Sequence, residues 1–243
     1  MPVPTKALIL KIDTPTSIEY AAIAAQSCVD VGLEWEYFTG FKGMRGQEAW
    51  TKTGVKVPWL TQPFTEPNRV HRAECCSAGH GAMWKRIAEG DDECVIILEH
   101  DSIMLHPVEI DIPDDMIVTL GYKLNNPYRY NHKKAGPPKE LIKVAGHEGA
   151  HAYAITKNTA IKMIEEIETS KNFRGRPGPL GCIDNAYFIR GQRKTRFPLY
   201  IASPTPALGW LRKSTIWSSS SAKNEPFIKS FKDNLDTSKA TLL

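Results

Sequence analysis

Three short stretches carry residue types that could do chemistry. Glu99-His100-Asp101 follows directly on the β-branched run of residues 93–98. Hard carboxylate oxygens of this kind suit Mg²⁺ or Mn²⁺, cations that usually share their coordination with substrate phosphates. A capped turn with two solvated acids is the plainer account of the same residues. The second stretch, Gly146-His147-Glu148-Gly149-Ala150-His151, contains the His-Glu-x-x-His spacing of a helical zinc site. The third, Gly181-Cys182-Ile183-Asp184-Asn185, offers a carboxylate that could act as a general base.

The zinc reading fails on the backbone. A helical site needs both histidines on one face, yet glycines stand at 146 and 149, each costing about 1 kcal/mol against alanine in a helix interior. Residues 151–156 alternate like a strand, and no histidine follows His151 to supply a third ligand. The stretch is expected to be a loop entering a strand, which frees His147, Glu148 and His151 for a different task.

The elements that must position these residues are legible in the hydrophobic pattern. Residues 6–12 read as a buried first strand. A helix over residues 17–31 follows, capped by Thr16 or Ser17, with its alanines and Ile18, Ile23 and Val29 forming the packed face. Residues 33–38 read as a second strand. Residues 40–68 are rich in Gly, Pro and Lys and read as irregular, with one helical turn around residues 47–51. Val70, Ala73, Ser77, His80, Trp84 and Ile87 fall at three- and four-residue spacing, so the segment from Arg69 to Glu89 is a helix, ended by Gly90 in a left-handed cap. Residues 93–98 are a central parallel strand. Residues 116–120 and 151–156 are further strands, and residues 158–169 a helix. Strands alternating with helices argue an α/β fold with a mostly parallel sheet flanked by helices. It is read as one domain over residues 1–217, with a polar tail over residues 218–243.

In such a sheet, ligands bind where the strands end at their carboxyl edge. Glu99 and Asp101 would both face that crevice if His100 points elsewhere. His80 lies on the apolar face of its helix and is either a satisfied core histidine or a donor-site contact.

Composition sets the context. The chain of 243 residues is 42% apolar, enough for one substantial core. Its apolar runs, such as residues 7–10, are too short to span a bilayer, and Lys11 and Asp13 interrupt any leader-like segment. The protein is therefore expected to be cytoplasmic, without stable membrane insertion. Five cysteines, with Cys75 and Cys76 adjacent and no Cys-x-x-Cys pair, fit free thiols in a reducing compartment. Charge is split: residues 1–121 hold 10 Lys+Arg against 18 Asp+Glu, and residues 122–243 hold 21 against 9. A polyanionic partner for the second half would use that split, as would anionic groups bound between the halves; two solvated faces of opposite sign are the bland account.

Taken in order, Cys76, His80, Trp84, then residues 95–98 with Glu99-His100-Asp101, resemble the family 25 glycosyltransferases, the lipopolysaccharide-type enzymes. Gly149 and Tyr153 with Ala160 and Met163 are similar to the family's later strand and helix, and Ile183-Asp184 to its Val-Asp pair. The likeness runs over roughly residues 5–205. This chain departs at Gly79, where the family has serine, at Cys75, where it has glycine, and at His100, where it has aspartate. The resemblance implies a GT-A fold and a nucleotide-sugar donor, commonly a UDP-sugar. It also implies Mn²⁺ or Mg²⁺ on Asp101 with Glu99, and inverting transfer to a hydroxyl. The donor-side residues would then be His80, Glu99, His100, Asp101 and His151. The general base would be Asp184, or else Glu148.

The acceptor is a separate question. Tyr122, Lys123, Tyr128, Arg129, Tyr130, Lys133 and Lys134 interleave aromatics with cations, and Arg190, Arg193, Lys194 and Arg196 add more charge before Phe197. Two further cations lie between Trp210 and Trp217. Phosphate contacts need cations, and bases pulled from a stack need planar partners. This favours DNA as the acceptor, in the manner of bacteriophage enzymes that glycosylate hydroxymethylated bases. Lipopolysaccharide is the alternative acceptor, and a non-enzymatic nucleic-acid-binding domain is the alternative of another class.

Overall fold

The computed structural model describes residues 2–57, 69–123, 135–147, 149–169, 184–188 and 195–209. Strand β1 (Lys6–Lys11) holds four successive buried residues, as a strand covered on both faces must. Helix α1 (Pro15–Asp30) leads to β2 (Glu34–Thr39), and α2 (Gly46–Thr53) and α3 (Arg69–Glu89) lead to β3 (Cys94–Glu99). Short strands β4 (Ser102–Met104), β5 (Ile117–Thr119) and β6 (Gly121–Lys123) follow. Then come β7 (Glu140–Val144), β8 (Ala152–Thr156), α4 (Lys157–Thr169), β9 (Leu199–Ser203) and β10 (Ala207–Gly209).

Seven strands form one mixed sheet in the order β2-β1-β3-β8-β5-β9-β7. Five of them point one way, while β8 and β7 run against them. A second sheet has the order β4-β10-β6. The alternation of side chains along β1 feeds two cores. Leu8 and Leu10 join Trp50 of α2, Trp84 of α3 and Met163 of α4 on one face. Ala7 and Ile9 join Ala21, Ala24 and Cys28 of α1 on the other. The expected α/β layering is therefore present, around a single main sheet.

Some local expectations change. Thr14, not Thr16 or Ser17, caps α1: its side chain accepts from the Ser17 amide at 3.2 Å, and the Ser17 hydroxyl accepts from the Ile12 amide at 2.9 Å. The packed face of α1 is built of small residues, while Ile18 and Val29 are exposed. Alanines let the helix lie close on the sheet, and the larger residues fall on the outer side. Helix α3 keeps its expected limits, but Gly90 is not left-handed; a Cβ there would lie 2.9 Å from the Arg86 carbonyl oxygen. The left-handed glycine cap belongs instead to Gly54, at φ 70°, after α2.

Strand β1 pairs with β2 on one side and β3 on the other, both parallel. The chain leaves β1 through α1 on one face of the sheet and returns to β3 through α3 on the other. The strand order therefore reverses at the carboxyl ends of β1 and β3, the place where open α/β sheets present a crevice. Among the described residues no helix is long and apolar enough to cross a membrane. The tail expected over residues 218–243 lies outside the described residues.

Candidate active site

Strand β3 is buried from Cys94 to Leu98 and delivers Glu99 to that crevice at its last residue. Glu99 turns toward α3. Its Oε1 lies 3.3 Å from His80 Nε2 and 3.6 Å from Cys76 Sγ. The next residue turns the other way: the His100 ring stacks on Tyr20 of α1, with centroids 6.3 Å apart and planes 16° apart. His100 thus points away from Glu99, toward α1. Asp101 follows in the turn before β4; it is partly buried, with Oδ1 enclosed.

His80 is fully buried and hydrogen-bonded on both ring nitrogens. Nδ1 lies 2.8 Å from the Tyr153 hydroxyl, which also accepts from Trp84 Nε1 at 2.8 Å. Because Trp84 can only donate, the phenol proton is available for His80 Nδ1, which leaves His80 Nε2–H to donate to Glu99. His80 is thus a satisfied core histidine, with its second nitrogen held by Glu99. Burial holds the Tyr153 hydroxyl well above its ordinary pKa, so it stays protonated.

Residues 146–147 and 149–151 form a loop leading into β8, as the glycines require, with Gly149 at φ 90°. His147 and His151 are both buried, with ring centroids 5.6 Å apart. The His151 carbonyl accepts from the Glu99 amide at 2.9 Å and from the Ser102 hydroxyl at 2.6 Å, which ties this loop to the acid-bearing turn. The His151 ring is wedged between glycines: a Cβ on Gly209 would lie 2.7 Å from its Cδ2, and one on Gly121 2.9 Å from its Nε2. Gly209→Ala is therefore expected to destabilise the chain by about 1–3 kcal/mol, read as a lower urea midpoint. No change in the midpoint would mean that the ring is free to move.

Asp184 opens a π-helical turn, Asp184–Phe188. Such turns recur at functional sites. The following residues pack on α3 and β8: Tyr187 meets Trp84 edge-on at 4.9 Å, and Phe188 meets Tyr153 at 5.2 Å. The backbone of Asp184 is thereby held on the α3 face of the sheet; its side chain, and the whole of Glu148, lie outside the described residues. So do Tyr128, Arg129, Tyr130, Lys133, Lys134, Arg190, Arg193 and Lys194. Tyr122 and Lys123 contribute backbone to β6, parallel to Leu208 and Gly209. Arg196 is exposed and lies over the Phe197 ring at 5.3 Å.

Two donor chemistries converge on Glu99. The carboxylates of Glu99 and Asp101 are hard donors, of the type that Mg²⁺ and Mn²⁺ take. Cys76 and His80 are softer. Cys76, His80 and Glu99 place one ligand atom each within 4.8 Å of the others. The role of Cys76 beside Glu99 was not read from the sequence, although Cys76, His80 and Trp84 share one helix face by their spacing of four. Burial pushes the thiols of Cys28 and Cys94 up to about 12, whereas Cys76 is partly exposed. Iodoacetamide at mildly alkaline pH is therefore expected to label Cys76 in the folded, metal-free protein and to spare Cys28 and Cys94. Peptide mass mapping reads the result, and equal labelling of all three would contradict the burial.

No protein-family model and no curated protein matches the chain. Solved structures share its outline at low identity. The glycosyltransferase GlyE of Streptococcus pneumoniae TIGR4 is 8% identical, with a TM-score of 0.45 over 100% of this chain and 61% of its own. The chain thus spans less than two thirds of that protein. The inositol-1-phosphate CTP transferase of T. maritima is 12% identical, with a TM-score of 0.45 over 96% of this chain and 98% of its own. A glycosyltransferase involved in glycosylating the major capsid of PBCV-1 is 10% identical, with a TM-score of 0.44 over 93% and 100%. Likeness of this degree carries no argument about activity.

Proposed function

We propose that the chain is a metal-dependent glycosyltransferase of the GT-A type, moving a sugar from a nucleotide-sugar donor, a UDP-sugar, to a hydroxyl with inversion. The observation that carries this reading is the pair of acidic residues, Glu99 and Asp101, at the end of a buried strand that runs parallel to β1 and antiparallel to β8, where the strand order reverses. The likeness of Cys76, His80, Trp84 and Glu99-His100-Asp101 to the family 25 motif supports it from the sequence side.

A divalent cation on Asp101 and Glu99 would supply Lewis-acid neutralisation of the leaving diphosphate. The protein's own part is orientation and proton transfer. His80 holds Glu99 Oε1, and the Tyr153–Trp84 pair holds His80. On the far side of the sugar, Asp184 takes the proton from the acceptor hydroxyl, with Glu148 as the second candidate. The anchoring of the Asp184 turn on Trp84 and Tyr153 supports the first choice.

Hydroxymethylated DNA is the acceptor favoured by the interleaved aromatics and cations of residues 122–134 and 190–197. A screen of nucleotide sugars with Mn²⁺ and candidate acceptors, read by mass spectrometry, tests both halves of the proposal. Nucleoside diphosphate release and a sugar mass gained by hydroxymethylated duplex DNA are expected. Labelling of lipid-linked oligosaccharide with none of DNA would move the acceptor to lipopolysaccharide. DNA binding that falls with salt, without donor turnover, would favour a nucleic-acid-binding domain.

A further inference from the structure

Glu99 Oε1 faces two residues that a magnesium or manganese site does not need. We propose that Cys76, His80 and Glu99 form a second, softer metal site that takes a zinc-class ion. Cys76 and His80 stand four residues apart on α3, so their side chains leave the same helix face one above the other. Glu99 meets them from the end of β3.

The separations that serve as hydrogen bonds in the metal-free protein also match those of ligands sharing one ion. Zinc bonds of about 2.0 Å to N or O and about 2.3 Å to S, set tetrahedrally, separate N from O by about 3.3 Å and S from O by about 3.5 Å. His80 Nε2 and Glu99 Oε1 are 3.3 Å apart, and Cys76 Sγ and Glu99 Oε1 are 3.6 Å apart. A charge-assisted N–H···O bond is shorter, at about 2.7–2.9 Å.

The surroundings of the histidine also suit a ligand. A metal-bound imidazole usually hands its other N–H to a fixed acceptor, which sets the ring's orientation. Here that acceptor is the Tyr153 hydroxyl, 2.8 Å from Nδ1 and itself fixed by Trp84. The phenol oxygen has two lone pairs and can receive both N–H groups. On metal binding the Cys76 thiol releases its proton to solvent. The His80 ring proton is then carried on Nδ1, which leaves the Nε2 lone pair for the ion. Thiolate and carboxylate together balance the two positive charges. His80 is enclosed while Cys76 and Glu99 remain partly exposed, so solvent or a ligand can take a fourth position. A thiolate selects zinc over magnesium or manganese.

This site does not depend on the proposed sugar transfer, and its test uses no sugar. Metal-free protein is titrated with Co²⁺, followed by Zn²⁺. A thiolate-to-cobalt charge-transfer band in the near ultraviolet is expected, with d–d bands of tetrahedral intensity, all removed when Zn²⁺ displaces the cobalt. Cys76→Ser should abolish the charge-transfer band, and Cys75→Ser should keep it. His80→Asn and Glu99→Gln should each weaken Zn²⁺ binding by at least about tenfold. Zn²⁺ should also protect Cys76 from iodoacetamide, a readout on the unmutated chain. Absence of the band, its persistence in Cys76→Ser, or unprotected labelling of Cys76 at saturating Zn²⁺ would each overturn the site. Nucleotide-sugar turnover with Mn²⁺, in which Glu99 is also proposed to take part, is measured separately, so that loss of either site is seen by itself.

Discussion

Asp101→Asn is expected to lower nucleotide-sugar turnover by about 10²–10³-fold, equivalent to roughly 3–4 kcal/mol of lost transition-state stabilisation. Asparagine keeps the shape of the side chain and one oxygen, so the turn between β3 and β4 has no steric reason to rearrange. What disappears is the negative charge that would hold a cation against the leaving diphosphate. If the interaction is made chiefly in the transition state, kcat and kcat/KM should fall together. A rise in KM alone would instead mean that Asp101 only helps to bind the donor. Chelation of divalent ions should reproduce the loss in the unmutated protein, with recovery on adding Mn²⁺. Turnover that survives both the substitution and chelation would remove the metal-dependent mechanism.

The second large effect concerns the buried polar chain behind Glu99. Tyr153→Phe is expected to cost about 2–4 kcal/mol of stability, read by urea denaturation. The Tyr153 hydroxyl is the partner of both Trp84 Nε1 and His80 Nδ1, all three residues being fully buried. Deleting one hydroxyl therefore strands two polar atoms, each worth about 1–3 kcal/mol when left without a partner away from water. Trp84→Phe in the same background should cost less than it does alone, because the indole donor is already orphaned. Strict additivity of the two substitutions would show that the hydroxyl is not their common partner. The same variant should loosen His80 and hence Glu99, so its turnover should fall even where the protein remains folded.

Much of this architecture is legible in the chain itself. The period of α3 is strong enough to set its limits at Arg69 and Glu89, and the unbroken apolar run with Val95, Ile96 and Ile97 at its centre marks β3 as a strand buried on both faces. Gly146 and Gly149 suffice to reject a helical zinc site, and the loop into β8 is found where they place it. Short elements are less legible. Strands β4, β6 and β10 have three residues each, too few for any period to declare itself, and their pairing joins residues about a hundred apart. On α1 the apolar residues alone mislead, because packing selects the small residues for the sheet and leaves Ile18 and Val29 outside.

The sequence by itself determined the α/β alternation, the acids at the end of β3, and the shared helix face of His80 and Trp84. These follow from local periodicity and from what one strand or helix must bury. Only the tertiary structure decided which side of the sheet each group serves. It turned Glu99 toward α3 and His100 toward Tyr20, and it closed the His80–Tyr153–Trp84 chain across residues about seventy apart. It also brought a thiol and an imidazole to the carboxylate the sequence had marked for a harder ion. Such meetings are set by strand order and by the faces on which α1 and α3 pack, quantities that no local pattern of residues encodes.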